Sequence, residues 1–375
     1  MSSDQFSLPR RDLLRGAGTM MALATVAGTA STAAAHDHAP APAAKLPYTP
    51  ERGTDDFPRP RFRHMNDEAW REVRAQDHSG KRVSAYEKWL EFNPRLMAFV
   101  GKWDPGMLIA QHGHMCINTV YVMEGSMMCG DVLCTKGMSI TLDIGTPYGP
   151  NIAGPEGVTL YEVMVGDPTA WYADTEGYEA LKKAKGVVQL PNPHQTLPAT
   201  TAARADAPTG IAPGGMGTGR PIFNKPYPKP RFKHADDEQW REMRVQDHGG
   251  RRVSVHEKWL DFRPRIFTFL GRWDPGMIIA QHGHMCMNTI FILEGSMTCG
   301  GVLCTKGMHI TLDVGVPYGP NITGPDGCLV LEVMTGDVTP WFADNDGFAA
   351  LKKARGIVQI PPPPQTYPKG AFAED

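Results

Sequence analysis

Residues 105–125 read Pro105-Gly-Met-Leu-Ile-Ala-Gln-His112-Gly-His114-Met-Cys116-Ile-Asn118-Thr-Val-Tyr-Val-Met-Glu-Gly125 and carry two histidines separated by one glycine. A nearly identical stretch recurs at residues 275–295, where the histidines are His282 and His284. In a β-strand, side chains at positions i and i+2 point to the same face. On a strand, the two imidazoles of each pair would therefore enter one interior together, where they could chelate one cation.

The two stretches belong to a long internal repeat. Shifting the sequence by 170 positions aligns residues 58–198 with residues 228–368 without a gap, and 92 of the 141 aligned residues are identical. A match of this length and identity indicates a duplication. The chain therefore contains two copies of one domain, and residue n of repeat 1 corresponds to residue n + 170 of repeat 2.

The residues outside the repeats have the composition of a signal and of linkers. Arg10 and Arg11 precede an apolar stretch of small residues, which is the pattern of a twin-arginine export signal over residues 1–35, with cleavage near Ala35. Residues 36–57 and 199–227 are rich in Ala and Pro, as expected of a flexible N-terminal segment and a linker, and residues 369–375 form a C-terminal tail. We therefore expect a periplasmic protein that is exported by the twin-arginine machinery and does not stay inserted in the membrane.

Composition excludes several classes of protein. The 375 residues include 40 Gly and 33 Pro, which argues for turns and against an all-helical bundle. Lys and Arg number 38 against 40 Asp and Glu, without a basic run, so a nucleic-acid partner is not expected. A hydrophobic fraction of 41% is sufficient for packed cores, and the sequence leaves a homo-oligomer open.

Within each repeat, the pattern predicts many strands between two short helices. Residues 66–76 have Trp70 and Val73 at helical spacing after a capping residue, which predicts a first helix. Short apolar runs separated by Gly and Pro follow from Val83 to Val165 and predict strands. Residues 175–185 predict a last helix that ends at Gly186. This order suggests a small antiparallel barrel or double-sheet roll.

The histidine stretch resembles the first motif of the cupins, G-x5-H-x-H-x3-E-x6-G, with Gly106, His112, His114 and Gly125 in register. Residues 137–151 are similar to the second cupin motif. Because both motifs occur in both repeats, the chain looks like a bicupin. This resemblance implies a mainly β protein with two tandem jelly-roll barrels, each with short flanking helices.

The chain departs from the cupin pattern at two ligand positions. Asn118 stands where many metal-binding cupins have Glu, and Tyr148 stands where they have a last His. Cys116 shares the strand parity of the histidines and could add a thiolate, whereas Glu162 could complete a set of two histidines and one carboxylate. Tyr148 could ligate or orient a substrate. The corresponding candidates in repeat 2 are Cys286, Asn288, Tyr318 and Glu332.

Six of the seven cysteines recur in both repeats. Cys129–Cys134 and Cys299–Cys304 flank hairpin-like turns in which a four-residue loop would bring the sulfurs opposite each other, so they are candidate disulfides of an exported protein. Free thiols are the alternative. Cys328 has no counterpart in repeat 1.

The sequence favours a metal-dependent enzyme. The resemblance to cupin dioxygenases implies an oxygenase that acts on a small organic substrate, with a phenol as one candidate. His112, His114, His282 and His284 are the expected ligands of a divalent transition metal, with Fe(II) favoured over Cu, Mn, Ni or Zn. Two alternatives stay open, namely a periplasmic protein that binds a small ligand or copper without turnover, and a structural bicupin with empty barrels.

Overall fold

The structure is a computed structural model that describes residues 59–195 and 226–367. The expected signal peptide at residues 1–35 lies outside the described residues, as do the N-terminal segment at 36–57 and the tail at 369–375. The same holds for all but the last two residues of the expected linker. No helix in the described part of the chain has the length and apolarity needed to cross a membrane.

The described chain divides into two compact units. Barrel 1 comprises residues 63–195 and 226–239, and barrel 2 comprises residues 59–62 and 240–367. The chain is mainly β, as the sequence predicts. The first half of the described chain contains ten strands, namely β1 (Arg61–His64), β2 (Arg71–His78), β3 (Lys81–Asn93), β4 (Leu96–Trp103), β5 (Leu108–Ile109), β6 (His112–Cys129), β7 (Val132–Thr135), β8 (Met138–Leu142), β9 (Asn151–Tyr172) and β10 (Val187–Gln189).

The second half of the chain repeats these strands. They are β11 (Arg231–His234), β12 (Arg241–His248), β13 (Arg251–Arg263), β14 (Ile266–Trp273), β15 (Ile278–Ile279), β16 (His282–Cys299), β17 (Val302–Thr305), β18 (Met308–Leu312), β19 (Asn321–Phe342) and β20 (Ile357–Ile360). Barrel 1 has the strand order β10-β2-β3-β4-β9-β6-β8-β11, with β5 on β9 and β7 on β6. Barrel 2 has the order β1-β18-β16-β19-β14-β13-β12-β20, with β15 on β19 and β17 on β16.

The outer strand next to β8 and β18 comes from the other repeat in sequence. Strand β11 pairs antiparallel with β8, and Arg231 donates two hydrogen bonds to the carboxylate of Asp143. In barrel 2, β1 lies next to β18, and Arg61 binds Asp313 in the same way. The main segments of the two units therefore begin at residues 63 and 240, whereas the repeats in the sequence begin at residues 58 and 228.

The predicted first helix is wrong in both repeats. Residues 66–76, and likewise 236–246, contain only a short 3-10 turn, at Met65–Asp67 and Ala235–Asp237, followed by strands β2 and β12. The spacing of Trp70 and Val73 was misleading because Trp70 is 41% exposed and no helical stripe is buried. Burial of Val73 and Ala75 instead follows the two-residue period of a strand.

The predicted last helix is confirmed. Helix α1 (Thr175–Lys185) begins after Asp174, whose carboxylate accepts a hydrogen bond from the backbone N–H of Gly177. It ends at Gly186, which has a left-handed φ of 63°. Helix α2 (Asn345–Ala354) is its counterpart in barrel 2.

Two long strands determine the geometry of each interior. Strands β6 and β9 span 18 and 22 residues and pair with each other over almost their whole length. Three register shifts interrupt the pairing, and such bulges bend strands. The sequence predicts shorter strands here, because bulges and bends leave little trace in a hydrophobic pattern. The buried side chains around these strands form the apolar core of barrel 1.

Candidate functional site

The histidine pair lies in the interior of barrel 1, at the start of β6. His112 and His114 are 7% and 9% exposed, and their ring centroids lie 5.1 Å apart with the planes nearly perpendicular, at 86°. In barrel 2, His282 and His284 are each 5% exposed, and their centroids lie 5.2 Å apart. The strand parity inferred from the sequence therefore places both imidazoles of each pair inside the barrel.

A glycine between the histidines lets the strand pack closely. A Cβ atom on Gly113 would lie 2.8 Å from the carbonyl oxygen of Thr146 and 2.9 Å from the ring of Trp171. The backbone of His112 also holds the segment that contains Tyr148, because the backbone N–H of each residue donates to the carbonyl oxygen of the other. Residues paired in this way point to the same face of the sheet. Tyr148 is thereby held beside His112, with ring centroids 4.4 Å apart.

Backbone carbonyls fix the tautomer of all four imidazoles. Nδ1 of His112 lies 2.8 Å from the carbonyl oxygen of Ala110, and Nδ1 of His114 lies 2.6 Å from that of Pro168. Since a carbonyl oxygen only accepts, each Nδ1 carries the hydrogen, and Nε2 keeps its lone pair. His282 and His284 make equivalent bonds of 2.8 and 2.7 Å. This arrangement is characteristic of histidines that ligate a metal through Nε2.

Burial keeps the histidines neutral. It lowers the pKa of His114 and of His284 to about 4, although the backbone hydrogen bond of each opposes the shift. The pKa of His112 is well below its usual value because of burial and the neighbouring His114. Neutral imidazoles are the form that binds a metal.

A carboxyl, an amide and a phenol form a hydrogen-bonded group next to the pair. Asn118 Nδ2 donates to Glu162 Oε1 at 2.7 Å, and the Tyr148 hydroxyl donates to the same oxygen at 3.3 Å. Burial raises the pKa of Glu162 to about 7, although the Asn118 bond opposes this shift. Barrel 2 repeats the group with Asn288, Tyr318 and Glu332. A carboxyl group from the neighbouring strand β9 thus lies beside the amide at position 118.

The additional ligand candidates do not assemble around the histidines. In the described part of the chain, no three His, Cys, Asp or Glu side chains are grouped closely enough to hold a metal ion. Cys116 is buried as its parity predicts, but burial raises the pKa of its thiol well above the usual value, and the charge of Glu162 raises it further. Burial likewise raises the pKa of Cys286. The donors thus fit a cation at two imidazoles and do not provide a third protein ligand of these types.

The candidate disulfides are absent, and all seven cysteines are free and buried. The hairpin has a two-residue turn, so Cys129 lies opposite Val132 and Cys134 lies opposite Met127. The two cysteines are therefore diagonal neighbours, which lie about 7–8 Å apart and exceed the usual Cα separation of a disulfide. In barrel 2, Cys299 and Cys304 occupy the same register.

Sequence reasoning missed an arginine in the interior. Arg74 on β2 donates to the hydroxyl of Tyr172 at 3.3 Å, and the ring of Tyr172 lies 6.3 Å from that of His112. Glu87 on β3 is close enough to Arg74 for the two charges to interact, and burial raises the pKa of that carboxyl. The register of β2 against β3 shifts between Glu72 and Arg74, so simple strand alternation from the core residue Val73 would not have predicted that Arg74 also faces the interior.

Comparisons with known proteins support the fold only. No family model and no curated protein matches the chain. Among solved structures, a Nostoc punctiforme protein proposed to be a dioxygenase has 12% identity and a TM-score of 0.51, covering 77% of this chain and 88% of its own. A variant of oxalate decarboxylase from Bacillus subtilis has 12% identity and a TM-score of 0.46, covering 80% of this chain and 88% of its own. The chain is a mainly β protein whose two units have the architecture of cupin-type jelly-roll barrels.

Proposed function

We propose that this protein is a metal-dependent enzyme, specifically an oxygenase, that converts a small organic molecule inside its barrels. The observation that carries the proposal is the duplicated histidine pair, in which backbone carbonyls hold Nδ1 and leave Nε2 as a donor. In a histidine that only fills a core, both ring nitrogens would normally be hydrogen-bonded, whereas Nε2 of these four histidines has no hydrogen-bond partner among the described residues. The oxygenase assignment is supported by the resemblance of the histidine motif to that of cupin dioxygenases.

The metal would be held by His112 and His114 in barrel 1 and by their counterparts in barrel 2. Neutral imidazoles suit Fe(II), Mn, Ni, Cu or Zn, and we propose Fe(II) for the oxygenase reaction. A bound Fe(II) would supply Lewis acidity and redox chemistry at this point of the interior. Since catalytic sites commonly use three protein ligands, we propose that donor atoms of the substrate complete the coordination. A copper site that includes Cys116 is less favoured, because in the described part of the chain no third His, Cys, Asp or Glu side chain is grouped with the histidine pair closely enough to hold a metal ion.

Tyr148 and Glu162 would orient the substrate and manage its protons. Burial and the nearby Glu162 charge raise the pKa of the Tyr148 phenol well above its usual value, so the hydroxyl stays a donor. Glu162 Oε1 already accepts two hydrogen bonds, and a carboxyl with a pKa of about 7 can take up or release a proton near neutrality. Tyr318 and Glu332 would act in the same way in barrel 2.

We also propose that the protein acts in the periplasm. The support is the pair Arg10 and Arg11 ahead of an apolar stretch, as in twin-arginine signals. A folded protein exported by this route can already contain its metal.

Oxygen uptake tests the proposed reaction. Purified full-length protein is supplied with Fe(II) and with a panel of phenols, catechols and small hydroxy acids, and dissolved oxygen is followed. We expect uptake with at least one compound and a decrease of about tenfold or more in Tyr148→Phe/Tyr318→Phe, which retains the rings and the bound metal but loses the hydroxyls. Iron-loaded protein that consumes no oxygen with any member of the panel would contradict the oxygenase reaction.

A further inference from the structure

The two barrels differ at one position next to the histidine pair. Tyr172 is the last residue of β9 and lies opposite His112 in the sheet, whereas the corresponding residue of β19 is Phe342, opposite His282. Both rings lie 6.3 Å from the first histidine of their pair. The substitution therefore preserves the ring and removes a single hydroxyl group.

That hydroxyl is the hydrogen-bond partner of the interior arginine in barrel 1. Arg74 Nη2 lies 3.3 Å from the Tyr172 oxygen. Arg244 occupies the same place on β12, after the same bulge in the strand. Among residues 59–195 and 226–367, no group hydrogen-bonds or forms an ion pair with the Arg244 side chain.

The Arg244 guanidinium lies close to the groups of the candidate site. Burial lowers the pKa of His282 and His284, and the charge of Arg244 lowers both further. The charges of Glu257, Tyr318 and Glu332 act on Arg244 in turn. The residue is enclosed in the barrel, yet part of its surface remains accessible. A guanidinium with unused N–H groups in such an interior is a site for an anion.

We propose that barrel 2 binds the carboxylate of a small organic acid through Arg244, and that position 172/342 makes the two barrels differ in this affinity. Phe342 leaves the guanidinium free, so both oxygens of a carboxylate can bind it in a bidentate manner. In barrel 1, an incoming carboxylate competes with the Tyr172 hydroxyl for Arg74. This inference rests on the proposed function in one respect, namely that the ligand lies beside the histidine pair. Binding of the carboxylate to Arg244 does not itself require a metal.

The surrounding charges favour a monoanion. Glu257 and Glu332 both lie near the Arg244 guanidinium, so a second negative charge on the ligand would be repelled by two carboxyl groups. A monocarboxylate has one charge and the planar shape that matches the guanidinium. Sulfate can also pair with a guanidinium, but its second charge would be repelled by the same two carboxyl groups.

Calorimetric titration tests the proposal, with full-length protein as purified and again after treatment with a chelator. The probes are formate, acetate and benzoate, with formamide, acetamide and benzamide as neutral controls and sulfate as the control anion. We expect at least one carboxylate to bind one site per chain, in both preparations, and Arg244→Gln to abolish this binding. Binding of the carboxylates in the untreated protein alone would contradict the metal-independent carboxylate site.

Exchanging the residue between repeats provides matched variants. Phe342→Tyr is expected to weaken the barrel 2 site about tenfold, which corresponds to one competing hydrogen bond. Tyr172→Phe is expected to add a second site in barrel 1. Each variant installs a side chain that the other barrel already accommodates, and an unchanged thermal melt confirms that the fold is retained.

Four further results would overturn the inference. They are no binding of any carboxylate, equal binding of the amides or sulfate, unchanged binding in Arg244→Gln, and identical titrations for both exchange variants and the native protein. None of these results depends on bound metal or on oxygen uptake. The proposed enzyme reaction can therefore be contradicted while the carboxylate site is confirmed, and the carboxylate site can be contradicted while the enzyme reaction is confirmed.

Discussion

Replacing His112 and His282 with glutamine together is expected to remove the bound metal and to abolish oxygen uptake. One imidazole per barrel would be left, and a single ligand cannot chelate a cation. The single variants His112→Gln and His282→Gln are each expected to lose about half of the metal, because each barrel has its own pair. Metal analysis of the purified variants, together with oxygen uptake, checks this result.

A matched control comes from the other repeat. His256 is a histidine of barrel 2 whose counterpart in barrel 1 is Tyr86, so His256→Tyr installs a residue that the fold already accepts. This variant is expected to retain its full metal content and activity. Unchanged metal in the double glutamine variant, or an equal loss in His256→Tyr, would mean that the histidine pairs are not the ligands.

Replacing Glu162 and Glu332 with glutamine is expected to stabilise the metal-free protein at alkaline pH and to have little effect under acidic conditions. Burial raises the pKa of each carboxyl from 4.5 to about 7 in the folded protein. Folding is therefore favoured by the bound proton at low pH, and this contribution is lost as the pH rises through about 7. A shift of this size corresponds to about 3 kcal/mol for each site.

The histidines have the opposite dependence in both proteins. Burial lowers the pKa of His114 from 6.5 to about 4, so the stability that it contributes is present above 6.5 and is lost as the pH falls toward 4. Because native protein and variant share this term, the difference in the free energy of unfolding isolates the two carboxyls. Denaturant unfolding at about pH 5 and at about pH 8 measures that difference.

The exposed Glu124 supplies the control. It lies on the same strand as the histidine pair and has the counterpart Glu294. Glu124→Gln/Glu294→Gln is expected to change the unfolding free energy little and equally at the two pH values. A stability difference between native protein and Glu162→Gln/Glu332→Gln that does not vary with pH would contradict the raised pKa of the buried carboxyls.

The histidine pair could be predicted because its signal is local. Strand alternation alone predicts that His112, His114 and Cys116 point to one face of the strand, and all three side chains are buried. The repeat doubled this signal and defined the two units. Glu162 was a candidate because it lies on a late strand that could line the same cavity, but its hydrogen bond to Asn118 joins residues 44 positions apart and could not be predicted.

The errors arose where local spacing had two interpretations. Trp70 and Val73 fit a helical period, yet β2 is a strand because it pairs with β3 along its length. Arg74 was missed as well, because the register shift beside it brings it into the interior next to the core residue Val73, and such a shift is not visible in the sequence pattern. The hairpin at Cys129 was assigned a four-residue loop, whereas the turn has two residues and changes which side chains face each other. Pairing between strands decides such cases, and it leaves no pattern in a single segment.

Metal content is the most direct test of the central claim, namely that both interiors hold a metal on a histidine pair. The chain is purified in its mature form, dialysed anaerobically against Fe(II), Mn(II) and Zn(II) separately, and analysed by mass spectrometry for metal per protein. The account predicts about two equivalents per chain for at least one metal, and about one after His282→Gln. Less than about a tenth of an equivalent of every metal would contradict it.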